Sequence, residues 1–113
     1  MKIVILLLAI ISSYAFSDKN VKVIGVKDGD TISVLDTSTK ESYTIRLAEI
    51  DCPEKSQPFG SKAKQTTSGL VFGKYVKVES IGKDRNGRTI GKVFYNDSIY
   101  LSETLIKKGM AWV

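Results

Sequence analysis

Between Val21 and Tyr95 the chain alternates apolar and polar side chains in five short runs, and this periodicity fixes most of what it can fold into. A repeat of two turns one set of side chains to a core and the other to water, the pattern of a half-buried strand. The runs are Val21–Lys27, Asp30–Leu35, Ser42–Ala48, Lys74–Ser80 and Thr89–Tyr95. Turn chemistry separates them. Asp28-Gly29 falls between the first and second, the polar stretch Asp36 to Glu41 between the second and third, and Lys83-Asp84-Arg85-Asn86-Gly87-Arg88 between the fourth and fifth. The first three follow one another so closely that an antiparallel meander is the simplest topology.

The one long gap has room for a helix. Ser61 is a candidate cap, and Lys62 to Phe72 is helix-compatible, with Ala63, Leu70 and Val71, and Phe59 ahead of them, as an apolar stripe and Gly73 as the stop. After a turn at Asn96-Asp97, Ser102 is placed to cap a second short helix through Lys108, with Leu105 and Ile106 inward and Gly109 as its stop. The expectation is an α+β, mainly β domain: a five-stranded OB-type β-barrel with two short helices, the first plugging one end. A chain of 113 residues allows a single domain of this kind.

The first seventeen residues read differently. Lys2 precedes a continuous apolar run, Ile3 to Ile11, followed by Ser12, Ser13, Ala15 and Ser17. A basic residue, a compact apolar stretch and a small-residue site predict a secretory signal peptide over 1–17, cleaved after Ala15 or Ser17. The run is shorter than the roughly 20 residues that span a bilayer. The expectation is therefore a domain over 18–113 in a secreted, periplasmic or cell-envelope protein without stable membrane insertion. At the other end, Met110-Ala111-Trp112-Val113 reads as the entry to a further element, so the sequence is expected to be a C-terminally truncated fragment.

Composition narrows the chemistry. There is no histidine and one cysteine, Cys52. Ser–His and Cys–His nucleophiles, His-ligated zinc and an intrachain disulfide are excluded. A formal net charge of +5 suits a polyanionic partner. A hydrolase built from this chain must use carboxylates, arginines and a hard cation.

Those groups concentrate at the strand ends. The stretch Arg46-Leu47-Ala48-Glu49-Ile50-Asp51-Cys52-Pro53-Glu54 leaves an alternating strand and stops at Pro53, which cannot donate a ladder bond. Asp30 and Asp51 are the candidate metal ligands, hard oxygen donors suited to calcium or magnesium. Arg46 and Arg88 are candidates for gripping a phosphate with two prongs, a geometry lysine cannot copy. Glu54 is placed to orient or deprotonate a water. Taken singly, each acidic segment is ordinary turn chemistry and each arginine a solvated side chain. Two acidic turns at strand ends of one small sheet, each with an arginine beside it, point instead to a phosphodiesterase site. Cys52, without a histidine to activate it, reads as a small turn residue.

Three segments in order, Asp28-Gly29-Asp30-Thr31, Arg46-Leu47-x-x-Ile50-Asp51-x-Pro53-Glu54 and Asp84-x-x-Gly87-Arg88, resemble the signature of the staphylococcal (micrococcal, thermonuclease-like) nucleases. The similarity runs from about Val21 to Val113 and includes Leu105-x-x-x-Gly109-Met110-Ala111-Trp112-Val113. The resemblance implies an OB-type barrel and calcium-dependent, sugar-nonspecific cleavage of DNA and RNA, single-stranded or frayed, by a monomer that leaves 3′-phosphate products. It implies that Asp30 and Asp51 bind Ca2+ with the backbone carbonyl of Cys52 as a further ligand, that Arg46 and Arg88 clamp the scissile phosphate, and that Glu54 acts as or positions the general base. Three departures accompany it: a shorter loop after Glu54, Asn86 in place of the family's aromatic residue, and a family C-terminal helix that lies beyond Val113. The rival readings are a non-catalytic OB module that binds single-stranded nucleic acid and an inactive fragment. Bare carboxylates argue against the binding module, because they repel phosphates unless a cation lies between.

Overall fold

The computed structural model describes residues 19–113, so the predicted signal segment lies outside the described residues. The five alternating runs are strands: β1 (Lys19–Asp28), β2 (Thr31–Asp36), β3 (Glu41–Leu47), β4 (Tyr75–Lys83) and β5 (Thr89–Tyr95). A two-residue strand, β6 (Ile99–Tyr100), is additional to the expectation and pairs with the end of β5. Helix α1 (Gly60–Val71) fills the long gap, and α2 (Leu101–Lys107) follows β6.

β1, β2 and β3 form the expected antiparallel meander, β4 returns to pair with β1, and β5 pairs with β4. A parallel pairing of β3 with β5, Ile45 with Thr89 through Leu47 with Gly91, closes the five strands into a barrel. Inward positions of all five strands make its core: Val21 and Val23, Ile32 and Val34, Ile45 and Leu47, Val76 and Val78, Val93 and Tyr95. Each fully buried aliphatic side chain contributes on the order of 1.5–3 kcal/mol by leaving water.

Both helices start differently from the sequence expectation. Phe59, not Ser61, occupies the cap position of α1, with φ +64° and no side-chain cap bond. Its ring is 74% exposed, so it does not belong to the apolar stripe. The buried stripe of α1 is Gly60, Ala63, Thr67 and Val71, and Leu70 is half-buried. Small residues dominate because α1 approaches the β1–β2 turn closely: a Cβ on Gly29 would lie 2.9 Å from Ala63 Cβ and 3.1 Å from Cys52 Sγ. Thr67 Oγ1 donates to the Gly29 carbonyl at 2.6 Å within that contact. In α2, Ser102 is not the cap; Tyr100 holds that position and the Ser102 hydroxyl donates to the Ala48 carbonyl at 2.9 Å. Leu101 and Leu105 face the core and Ile106 faces outward. Gly73 and Gly109 follow the helices with φ of +77° and +74°, as helix stops require. No helix among the described residues is long and apolar enough to cross a membrane.

Candidate active site

The barrel closure brings the charged strand ends together. Arg46 pairs with Thr31 across β2–β3 and with Ile90 across β3–β5, so the residue next to its first partner is Asp30 and Arg88 lies two residues before its second. Leu47 donates its amide to the Asp30 carbonyl at 2.8 Å, carrying the ladder one step past β2. The chain then turns through Ala48, Glu49 and Ile50, with Glu49 at φ +73°, and presents Asp51 on the same side.

Arg46 is the hub. Its Nη2 lies 3.2 Å from Asp30 Oδ2 and 2.5 Å from Asp51 Oδ1, while Nη1 donates to the carbonyls of Leu47 at 3.0 Å and Ile50 at 2.9 Å. Asp30 is nearly buried and fully engaged: Thr31 Oγ1 donates to Oδ1 at 3.0 Å and the Cys52 amide to Oδ2 at 3.0 Å. Asp51 is exposed, but its backbone is clamped by a two-way bridge to Trp112, with N–H···O contacts of 2.8 and 2.9 Å. One nitrogen thus sits between two carboxylates, one buried and one open to solvent.

Arg88 enters from the β4–β5 turn. Asp84 accepts from the amides of Asn86 and Arg88, each at 2.9 Å, and from Arg88 Nε at 2.7 Å. Burial pushes the Asp84 carboxyl up, but the donors from Arg88 and Asn86 outweigh it and hold the group below its usual value. Arg46 and Arg88 line one open groove of about 300 Å³ with Asp84, Glu49 and Ile50.

Glu54 stands beyond Pro53, its side chain exposed. Its backbone is fixed: Gln57 Oε1 accepts from the Glu54 amide at 2.7 Å, and the Glu54 carbonyl accepts from the Gln57 amide at 2.8 Å. Asp28 Oδ1 accepts from the Lys55 amide at 2.9 Å, tying this loop to the β1–β2 turn. Cys52 is buried, and burial, followed by the Asp30 charge, pushes its thiol up to about 12. A thiol so held is neutral, in line with its reading as a turn residue; it joins the site through its amide.

Among the described residues no group of three or more His, Cys, Asp or Glu side chains gathers as a metal cage. What the structure offers a cation is narrower: Asp30 and Asp51, with Arg46 Nη2 standing where a positive charge is shared. Two carboxylates around one point fit a hard oxygen-seeking ion, and the absence of sulfur or imidazole donors there does not fit zinc. Of the residues the sequence singled out, Asp30, Arg46, Asp51 and Cys52 form one connected cluster, Cys52 joining it through its amide, whereas the sequence reading assigns its carbonyl. Arg88 shares its groove, and Glu54 is held on the adjoining loop. The sequence reading missed Asp28 as the tether of the Glu54 loop, Gln57 as its brace and Trp112 as the clamp on Asp51.

Residues 44–113, which carry the second half of β3 with Arg46, and Asp51, Glu54 and Arg88, match the family model described as staphylococcal nuclease homologue. The chain belongs to the staphylococcal nuclease homologue family. A Haemophilus influenzae protein named "Uncharacterized endonuclease" is 41% identical over 108 residues, covering 96% of this chain and 60% of that protein. A "Micrococcal nuclease" of Shigella flexneri is 36% identical over 111 residues, covering 91% of this chain and 63% of its own length. A "Probable staphylococcal-like nuclease" of Oryza sativa is 42% identical over 72 residues, 64% of this chain and 22% of the plant protein. This chain therefore spans about three-fifths of the length of the two bacterial relatives.

Proposed function

We propose that this staphylococcal nuclease homologue hydrolyses phosphodiester bonds of DNA and RNA, with calcium as cofactor and 3′-phosphate products. The observation that carries the reading is the single guanidinium nitrogen shared by Asp30 and Asp51 beside a groove that also holds Arg88. A phosphodiester under attack gathers negative charge on its equatorial oxygens, and fixed cations stabilise that charge more than the ground state. Arg46 and Arg88 are the groups able to do this, each pre-oriented by a carboxylate: Arg46 by Asp30 and Asp51, Arg88 by Asp84. Asp30 and Asp51, with the Cys52 carbonyl, would hold the calcium ion. Bound there, the ion would supply Lewis-acid stabilisation of the phosphoryl oxygens and lower the pKa of water. Glu54, exposed on its braced loop, would accept the proton of the attacking water. The basic chain would gather substrate through phosphate contacts with little sequence preference, acting as a monomer on single-stranded or frayed nucleic acid. The Lys2-led apolar segment supports export to the envelope or medium.

The test is incubation of the purified full chain with single-stranded DNA, with calcium and then with chelator. Cleavage that needs calcium and that Arg46→Ala and Glu54→Ala each reduce by about 10²-fold or more is expected. Binding without cleavage, unaffected by chelator, would overturn the enzyme reading in favour of a binding module.

A further inference from the structure

A second groove, of about 530 Å³, shares Arg88 with the first and is lined also by Lys19, Tyr43, Thr44, Ser80, Lys83 and Asn86 among others. Its volume is in the range of small-ligand sites. The strand register builds it: Lys83 pairs with Thr89, and Thr89 pairs with Ile45, so the end of β4 and the residues leading to Arg46 sit two strands apart across the closure. Its charge is one-sided, for Lys19, Lys83 and Arg88 line it and no carboxylate does. The acids beside it are already engaged: Asp84 by Arg88 Nε at 2.7 Å, and Asp36 by the Ser38 hydroxyl at 2.7 Å and by Lys19 Nζ at 3.7 Å. Lys83 has no ion-pair partner among the described residues and is exposed. Tyr43 is half-buried against the core, which fixes its ring at the groove, and the Asn86 and Thr44 side chains add hydrogen-bonding groups. Cations, one anchored aromatic ring and uncharged donors and acceptors match a phosphate and a base together. Arg88 lines both grooves, so a strand whose phosphate lies between Arg46 and Arg88 continues into this one.

We propose that the groove of Lys19, Tyr43, Lys83 and Asn86 is a second nucleotide subsite, taking the base and phosphate of the nucleotide next to the cleaved bond, with the base stacked on Tyr43 and the phosphate on Lys83. This rests on the nucleic-acid reading of the site but not on catalysis. It is therefore tested by binding: fluorescence anisotropy of the full chain with a short labelled single-stranded oligothymidylate in chelator, where no cleavage occurs. Lys83→Gln lowers the slope of log affinity against log salt by about 0.7, one phosphate contact on a single strand, whereas Lys107→Gln on α2 leaves it unchanged. Tyr43→Leu weakens binding about 10-fold and Tyr43→Phe restores it, since both rings stack and only the hydroxyl differs. Where Tyr43→Leu fails to fold by circular dichroism, the Lys83 slope decides. Wild-type binding that neither Lys83→Gln nor Tyr43→Leu moves, or no wild-type binding, overturns the subsite. Calcium added to the same mixtures separates the two claims: binding altered by the variants without any cleavage refutes the nuclease and leaves the subsite standing, while cleavage with unaltered binding does the reverse.

Discussion

The same chemical change at two glycines of α1 is expected to move stability in opposite directions, and only one of the two should touch activity. Gly60 begins the helix at the point where the Glu54 loop folds back on it. A Cβ there would lie 1.7 Å from the Glu54 carbonyl oxygen, 2.5 Å from its carbon and 2.9 Å from Lys55 Cα, where real Cβ contacts essentially never fall under 3.0 Å. Gly60→Ala therefore has to push the backbone of Glu54 away by more than an ångström, and the obstacle is main chain, not a flexible side-chain tip. The loop has little slack: Gln57 accepts from the Gly60 amide at 2.9 Å while its own amide donates to Glu54 at 2.8 Å. Overpacking of this kind costs about 1–3 kcal/mol. For a domain of this size each kcal/mol is roughly 4–8 °C in melting temperature. An ångström of displacement at a positioned catalytic group costs about 10²-fold in rate.

Gly69 lies about two and a half turns further along the same helix, exposed on the opposite face, and a Cβ there would meet nothing within 4 Å. Gly69→Ala gains helix propensity, about 1 kcal/mol, and should raise the melting temperature by roughly 4–8 °C with cleavage unchanged. Thermal unfolding followed by circular dichroism, beside single-stranded DNA cleavage rates in calcium, reads both effects. A Gly60→Ala protein that melts with the wild type refutes the close approach. One that is destabilised yet cleaves at the wild-type rate refutes the claim that this loop positions Glu54 for the reaction.

Arg46→Lys keeps the charge but cannot reach Asp30, Asp51 and the Leu47 and Ile50 carbonyls together; cleavage should fall about 10²-fold, and a rate near wild type would show that the planar fork is dispensable. Cys52, its thiol pushed up to about 12 by burial and then by Asp30, should resist a thiol-specific disulfide reagent at pH 8 in the native state and react fully once denatured; native reactivity would refute the buried neutral thiol. Burial pushes the Asp84 carboxyl up, but donors from Arg88 and Asn86 together outweigh it and hold the group below its ordinary 3.8. A lowered folded value contributes stability above the unfolded pKa that is lost as pH falls through the folded one. The gap in urea midpoint between wild type and Asp84→Asn should therefore be full near neutrality and close below about pH 3.8, and a gap independent of pH would refute the assignment.

The strands were legible because their signal is local. Alternation in Ser42–Ala48 or Thr89–Tyr95 needs no knowledge of the partner strand, and the observed β3 and β5 match those ranges within one residue. Where a tertiary contact decides, the sequence misled. Ser61 and Ser102 carry good capping side chains, but α1 starts where Gly60 meets Glu54, and the Ser102 hydroxyl is taken by Ala48. β4 runs on to Lys83 through an irregular step at Gly82, which alternation cannot foresee, and β6 is too short to show a period. At the site, residue types told more than spacing. Asp30, Arg46, Asp51 and Arg88 stood out as charged groups at strand ends, whereas Asp28, Gln57 and Trp112 act through backbone contacts that no composition reveals.

Closure of the barrel is what turns scattered charges into a site. Arg46 and Arg88 are far apart in sequence, and the β2–β3 hairpin alone would give Arg46 only Asp30 as a neighbour. The parallel β3–β5 register, Ile45 to Thr89 and Arg46 to Ile90, delivers the β4–β5 turn to the same rim and sets Arg88 beside Arg46. Such a pairing has no hairpin to enforce it; it depends on Ile45, Leu47, Val78 and Val93 packing in the core beneath it, with Gly91 admitting Val78 Cγ1 and Ile45 Cγ2, which would lie 3.2 and 3.5 Å from a Cβ placed there. A side chain at Gly91 would therefore press on Val78 and Ile45 beneath the closure, so the glycine belongs to the packing that holds the site in register. The two guanidiniums are held in register by the hydrophobic packing of the barrel, and their electrostatic roles rest on that packing.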